Sequence, residues 1–309
     1  MSNVILKVTT TQIEKMKQSY QTFLLSKKIP YTVFVAKKNG TTITAYTSGK
    51  VMFQGANAEK EASLWGEKQP ISPPSVKKKA LLPDNLASLS VLGSDEVGNG
   101  SYFGPLTVCA AYVDKTKLDQ LKRLGVRDSK ELKDSQIIQV AHHLKDLIPY
   151  QLLVLPPQKY NEIQTKYNAV RMKVALHNQA IHLLLKKIAP VKPEVILIDQ
   201  FTPEANFKKY VRLEQNQVTE KIYFVTKGEQ YHLAVAAASI ISRASFLEEL
   251  AKESAEIGLT LPSGAGGKSD QVAAKILQQG GLPLLANYAK LHFANTEKAK
   301  KILDQLRGY

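Results

Sequence analysis

Asp95 and Glu96 stand side by side at the end of a short apolar run, and glycines crowd in behind them: Val91-Leu-Gly-Ser-Asp95-Glu96-Val97-Gly98-Asn99-Gly100-Ser-Tyr-Phe-Gly104-Pro105. Adjacent carboxylates repel each other, and at a strand end they are partly desolvated. A cation held between them relieves both costs. Glycines let a backbone turn sharply and come close to a ligand, since a Cβ would obstruct both. Carboxylates for a metal beside a bare backbone suit a site that handles a phosphate or a sugar, although a solvated turn after an edge strand uses the same residue types. A dinucleotide-binding turn does not fit. Its glycines must open a helix whose N-terminus faces the pyrophosphate, whereas Pro105 is followed by the β-branched and aromatic run Leu106-Thr-Val-Cys-Ala-Ala-Tyr-Val113. The segment reads as strand, glycine loop, strand, in an antiparallel pair.

Two further carboxylates end predicted strands. The apolar run 195–198 stops at Asp199, and the strand predicted over 221–226 leads into Lys227-Gly228-Glu229. Side chains at the strand ends of an open α/β sheet collect in one crevice, so Asp95, Glu96, Asp199 and Glu229 are expected to meet. Four carboxylates cannot all ionise together without cations. Oxygen-only ligands favour Mg²⁺ or Mn²⁺ over zinc. Two such ions ~3.5–4 Å apart are the apparatus of in-line phosphodiester displacement.

These residues need a sheet to carry them, and from Leu89 onward the pattern alternates strands with long helices, the mark of an α/β domain. A helix is predicted over 134–147, a strand over 151–155 and a long helix over 159–188. On the last, Ile163, Tyr167, Val170, Val174, Ile181, Leu184 and Ile188 form one stripe. His177 falls on that stripe and reads as a satisfied core histidine. Residues 195–198 read as a central strand buried on both faces, 233–251 as an Ala- and Ser-rich helix, 264–267 as a flexible loop, and two helices finish the chain.

The first 68 residues are organised differently. A strand over 3–9 precedes a helix opened by a capping box, Thr11-Gln-Ile-Glu14, with Ile13, Met16, Tyr20, Phe23 and Leu24 on one face. Strands over 31–37, 41–47 and 50–54 follow, joined by the tight-turn dipeptides Asn39-Gly40 and Ser48-Gly49, and then a helix over 56–68. Thr32, Lys37, Lys38, Thr41, Thr42, Thr44, Tyr46, Thr47 and Lys50 are expected to make a sheet face suited to a sugar–phosphate backbone. Residues 69–88, with Gln69-Pro-Ile-Ser-Pro-Pro-Ser and a lysine triplet, read as a stiff, basic linker to a domain spanning 89–309.

Composition agrees with a nucleic-acid partner. The 309 residues carry a formal charge of +15. Residues 1–66 alone hold nine lysines against three glutamates. Hydrophobic content is 44%, no apolar run approaches the ~18 residues of a membrane span, and no secretion signal is visible. Cys109 has no partner for an internal disulfide. A cytoplasmic monomer is expected.

Taken together and in order, Asp95-Glu96-Val97-Gly98-x-Gly100-x-x-x-Gly104-Pro105, Arg127-Asp-Ser-Lys130, Ile198-Asp199, Lys227-Gly-Glu229 and Ala237-Ala-Ser-Ile-Ile-Ser-Arg243 resemble the type 2 ribonucleases H. Two features resemble the ribonuclease HIII branch rather than HII. Glu229 stands where the HII branch has aspartate. Residues 1–68, above all Gly49-Lys-Val-Met-Phe-Gln-Gly55, are similar to the TATA-binding-protein-like domain that HII enzymes lack. The resemblance implies a ribonuclease H-like mixed sheet flanked by helices, and Mg²⁺- or Mn²⁺-dependent cleavage of the RNA strand of RNA–DNA hybrids to 5′-phosphate and 3′-hydroxyl ends. It implies that Asp95 bridges two metals, that Glu96 and Asp199 each complete one shell, and that Glu229 is the fourth carboxylate. The backbone of Gly98, Asn99 and Gly100 would meet ribose 2′-hydroxyls. Ser129 and Lys130 would hold the phosphate backbone, with Lys50 contributing from the first domain, while Asp128 could instead cap the nearby helix. Where HII enzymes carry a basic residue in the glycine loop this chain has Asn99, and residues 237–250 contain no tyrosine. Cutting is therefore expected within runs of ribonucleotides rather than at a single one, the HII-like alternative. A non-catalytic nucleic-acid-binding protein is the alternative from another class.

Overall fold

The structure is a computed structural model that describes residues 3–26, 31–66 and 82–307. The chain separates into two compact units, Met1–Leu81 and Leu82–Tyr309. Most of the expected linker lies outside the described residues. Its last part, 82–88, belongs to the second unit, where Leu86 is buried in the main core.

In the first unit, β1 (Asn3–Lys7), β2 (Thr32–Lys38), β3 (Thr41–Tyr46) and β4 (Lys50–Gly55) form one antiparallel sheet in the order β1-β4-β3-β2. Helices α1 (Thr10–Ser19) and α2 (Ala58–Ser63) cover one face, burying Ile13, Met16, Ala58 and Ala62 against Phe34, Ile43, Val51 and Phe53. The predicted capping box is displaced. Thr9 is the N-cap, its hydroxyl accepting from Gln12 N at 3.2 Å. The helix stops at Ser19, so Phe23 and Leu24 do not extend its buried face and are exposed.

Strand alternation also divides the lysine and threonine residues expected on one face. Lys38 turns to the helix side, 3.9 Å from Glu61, and Thr41 is fully buried. The pairs Lys7↔Lys50, Thr44↔Met52 and Lys37↔Thr42 put those residues on the face away from the helices.

The second unit is built on a five-stranded sheet in the order β7-β6-β5-β8-β9, with β5 Val91–Val97, β6 Leu106–Val113, β7 Tyr150–Leu155, β8 Val195–Asp199 and β9 Ile222–Val225. As expected, β5 and β6 pair antiparallel, while β5, β8 and β9 run parallel. Helices α3 (Leu118–Arg123), α4 (Asp134–Leu147) and α8 (Leu233–Ile257) pack on one face. Helices α6 (Ala169–Ile188) and α7 (Glu204–Val211) pack on the other. The helix predicted over 159–188 is two helices, α5 (Pro157–Gln164) and α6. Between them Asn168 caps α6 by accepting from Arg171 N at 2.9 Å.

Helix α8 lies close on β5 because its inward side is alanine and serine and because β5 carries Gly93. A Cβ on Gly93 would stand 2.4 Å from Val235 N and 2.5 Å from Ala234 C. His232 starts the helix. Its Nδ1 accepts from Ala234 N at 3.0 Å, and its Nε2–H donates to Leu89 O at 3.1 Å. The predicted flexible loop 264–267 is tied down: Tyr102 N donates to Gly264 O, Gly264 N donates to Ser101 Oγ, and Gly267 already opens α9 (Gly267–Ala286). Helix α10 (Ala294–Arg307) follows.

Candidate active site

Parallel pairing brings the carboxylates to one end of the sheet. Ser94 pairs with Ile198 across β5 and β8, so Asp95 and Asp199, one step further on, are neighbours on the same face. That face is the one α8 covers. Ser239 of α8 bonds the Asp95 carboxyl, Ser242 Oγ donates to Asp95 O, and Asp95 Oδ1 accepts from Glu96 N at 2.8 Å. Strand β9 then pairs Val225 with Asp199. The chain turns through Lys227 in the left-handed region (φ 60°), and Gly228 N donates to Asp199 Oδ1 at 2.9 Å. Glu229, the next residue, is thereby delivered beside Asp199.

Glu96 goes the other way. Successive strand residues point to opposite faces, so Glu96 faces α6. Its Oε1 accepts from Lys173 Nζ at 2.8 Å and its Oε2 from His177 Nε2 at 3.0 Å. His177 is fully buried, with Nδ1 2.7 Å from Ser94 Oγ and its ring stacked on Phe201. It is indeed a satisfied core histidine, but a candidate site carboxylate satisfies it.

Burial pushes the Asp95 carboxyl up to about 8, helped by the negative charges of Glu96 and Asp199 and opposed by the Ser239 hydrogen bond. At neutral pH that carboxyl holds its proton unless a cation compensates it. Burial acts in the same direction on Glu96, but the His177 hydrogen bond and charge, together with Lys173, overcome it and leave its carboxyl below the usual range. The Glu229 side chain is 5% exposed and its Oε1 accepts from Lys130 Nζ at 3.2 Å, a contact that raises the lysine's pKa. Among the described residues no three acidic or histidine side chains are already gathered as a cation cage. Ammonium groups instead stand on Glu96 and Glu229. Oxygen donors at one end of the sheet, one pushed up by burial and neighbouring negative charge and two resting on lysines, fit hard divalent cations.

The glycine loop is held from within. A Cβ on Gly98 (φ 92°) would sit 2.2 Å from Pro105 O, so the fold itself requires glycine there. Gly100 differs: nothing lies within 4 Å of where its Cβ would be. Asn99 and Gly100 are exposed, and Lys290, fully buried, donates from Nζ to Ser101 O and Gly104 O under the loop. Ser129 is not offered to a phosphate. It is buried, its hydroxyl 2.9 Å from Ser239 Oγ and its carbonyl bound by Arg243. Asp128 caps the short turn beside it, accepting from Lys130 N at 3.0 Å. Lys130 is exposed, and so is Lys50, which lies in the other unit.

Residues 92–296 match the family described as Ribonuclease HII, and residues 3–78 match a Domain of unknown function (DUF3378). The chain is 67% identical to the ribonuclease HIII of Enterococcus faecalis over 97% of this chain and 99% of that protein. The chain belongs to the ribonuclease HIII family. It is 50% identical to the ribonuclease HIII of Listeria monocytogenes over 99% of this chain and all of that one. The crystal structure of Bst-RNase HIII in complex with Mn²⁺ is similar at a TM-score of 0.71 and 40% identity, covering 98% of this chain and 100% of that one. Members of the ribonuclease HIII family are ribonuclease H-fold hydrolases. They are metal-dependent endonucleases that cut the RNA strand of RNA–DNA hybrids by the family's general two-metal mechanism, and this chain is one of them.

Lys173, His177 and Lys290 had no place in the sequence reading of the site. A signal existed for the first two: a lysine and a histidine at i and i+4 interrupt the otherwise apolar stripe of α6.

Proposed function

We propose that Asp95, Asp199, Glu96 and Glu229 are the residues that hold two Mg²⁺ or Mn²⁺ ions in this enzyme. The observation that carries the assignment is the register of β5 and β8, which sets Asp95 beside Asp199 on one face with Glu229 tethered next to them through Gly228. Ions held there would supply activation of the attacking water and stabilisation of the leaving 3′-oxygen, chemistry that leaves 5′-phosphate and 3′-hydroxyl ends. The chain's own residues do the rest. Ser239 and Ser242 fix Asp95, and the backbone of Gly98, Asn99 and Gly100 meets ribose 2′-hydroxyls in the minor groove. Lys130 exchanges Glu229 for a substrate phosphate. The face of the first sheet that carries Lys7, Lys37 and Lys50 grips the hybrid backbone. No described helix is long and apolar enough to cross a membrane. With its single, buried cysteine, the chain is assigned to the cytoplasm, where it works as a monomer.

The substrate is an extended hybrid rather than a lone ribonucleotide. Asn99 brings no charge to the loop, and the only aromatic of α8 in the segment 237–250, Phe246, is buried. Its ring lies 3.1 Å from where Cβ atoms on Gly98 and Gly104 would stand, so it packs under the loop and cannot stack on a junction. The test is digestion of a full hybrid beside a DNA duplex with one embedded ribonucleotide, in Mg²⁺ and in Mn²⁺. Efficient cutting of the hybrid and little of the single site is expected. Equal cutting in Mg²⁺ refutes this specificity.

A further inference from the structure

A buried lysine directly on a metal-ligating carboxylate is an odd neighbour for an incoming divalent cation. Glu96 has both oxygens engaged, Oε1 by Lys173 and Oε2 by His177. A cation that takes an oxygen of Glu96 must displace one of them and must tolerate the charge of the ammonium if it stays. The two partners are not equally free to move. His177 is fully buried, bonded to Ser94 at its other nitrogen and stacked on Phe201 at a ring separation of 5.0 Å. Lys173 is on a flexible four-carbon stem. Its Nζ already lies 4.2 Å from the centre of the Phe201 ring, whose face can keep an ammonium in place after it leaves the carboxylate.

We propose that Lys173 is a placeholder cation: it neutralises Glu96 while the site is free of metal and withdraws towards Phe201 when a divalent cation binds, as His177 keeps its hold on Oε2. The proposal rests on reading Glu96 as a metal ligand. It makes Lys173 a positioning residue that opposes metal binding, and the cost of displacing it is built into the affinity of the site. A supporting strut would act with the opposite sign, since losing a strut loosens the ligand and weakens binding.

The experiment is a titration of the full chain with Mn²⁺ alone, followed by the electron paramagnetic resonance of free Mn²⁺, for wild type, Lys173→Met, Lys173→Gln and Glu96→Gln. Thermal denaturation with and without Mn²⁺ accompanies it. Removing one positive charge a few ångströms from a divalent ion should tighten binding at least about tenfold, the change expected even with water-like screening. Both Lys173 variants should melt earlier without metal, because Glu96 is left under-compensated, and should gain more from Mn²⁺ than wild type does. If Lys173→Met does not fold, Lys173→Gln, which retains a donor to Glu96 without the charge, carries the same prediction. Unchanged or weaker Mn²⁺ binding in the lysine variants overturns the placeholder role. If Glu96→Gln binds Mn²⁺ as wild type does, it is the underlying assignment of Glu96 that fails.

Discussion

Gly93→Ala adds a single methyl group at the point where β5 and α8 touch. Its Cβ would lie 2.4 Å from Val235 N, 2.5 Å from Ala234 C and 2.8 Å from Ala234 O. All three are backbone atoms in the first turn of a 25-residue helix, so no side chain can rotate away. Ordinary contact begins near 3.4 Å, and the helix must therefore retreat by about 1 Å. Overpacking of this kind typically costs ~1–3 kcal/mol, occasionally more. The upper figure applies here because the obstacle is main chain. In a unit the size of Leu82–Tyr309, ~3 kcal/mol lowers Tm by about 6–12 °C. The same retreat carries Ser239 and Ser242 away from Asp95, so hybrid cleavage by the folded fraction should also fall. Thermal denaturation of the full chain followed by circular dichroism reads the first effect, and initial rates well below the transition read the second. A Tm within about 2 °C of wild type, with full activity, would show that α8 does not depend on this close approach.

Gly100→Ala should behave in the opposite way: the empty space around its Cβ position leaves Tm unchanged, while the methyl group intrudes where the ribose should sit, raising KM for the hybrid by tenfold or more. An unchanged KM would move the 2′-hydroxyl contact elsewhere. His232 predicts an acid weakness. Burial lowers its pKa to about 4 in the fold against 6.5 unfolded, so the unfolded chain binds the extra proton first and stability is lost as pH falls through that window. About 2 kcal/mol should disappear between pH 7 and pH 5, as measured by urea denaturation. His232→Asn, which retains an N-cap but does not titrate, should lose that much less, and parallel losses in the two proteins would refute the assignment.

Much of this was legible in the residues because strand ends announce themselves. Apolar runs terminating at Asp95, Asp199 and Lys227-Gly228-Glu229 located the carboxylates, and parallel order among β5, β8 and β9 then had to bring their ends together. The long helix was misjudged because the apolar stripe runs through the break. Only Asn168 marks the new start, and a lone asparagine is a weak signal beside seven apolar residues in phase. Faces were harder still. Alternation sends Glu96 towards α6 and Asp95 towards α8, and it takes Lys38 and Thr41 away from the surface carrying Lys50, yet a one-residue shift in register would have reversed each assignment. The supporting groups, Lys173, His177 and Lys290, come from segments remote in the chain. Only the packing of α6 on the sheet, and of the region before α10 against the glycine loop, makes them neighbours.

The central claim is that Asp95 and Asp199 form one cation-dependent catalytic centre, while affinity for the hybrid comes mainly from other groups. The direct measurement compares wild type with Asp95→Asn and Asp199→Asn on one labelled RNA–DNA hybrid, recording cleavage at saturating Mg²⁺ and binding without metal. Both variants should bind the hybrid about as well as wild type, because affinity comes mainly from lysine and arginine contacts to phosphates, and both should lose nearly all cleavage. Wild-type cleavage by either variant would contradict the account.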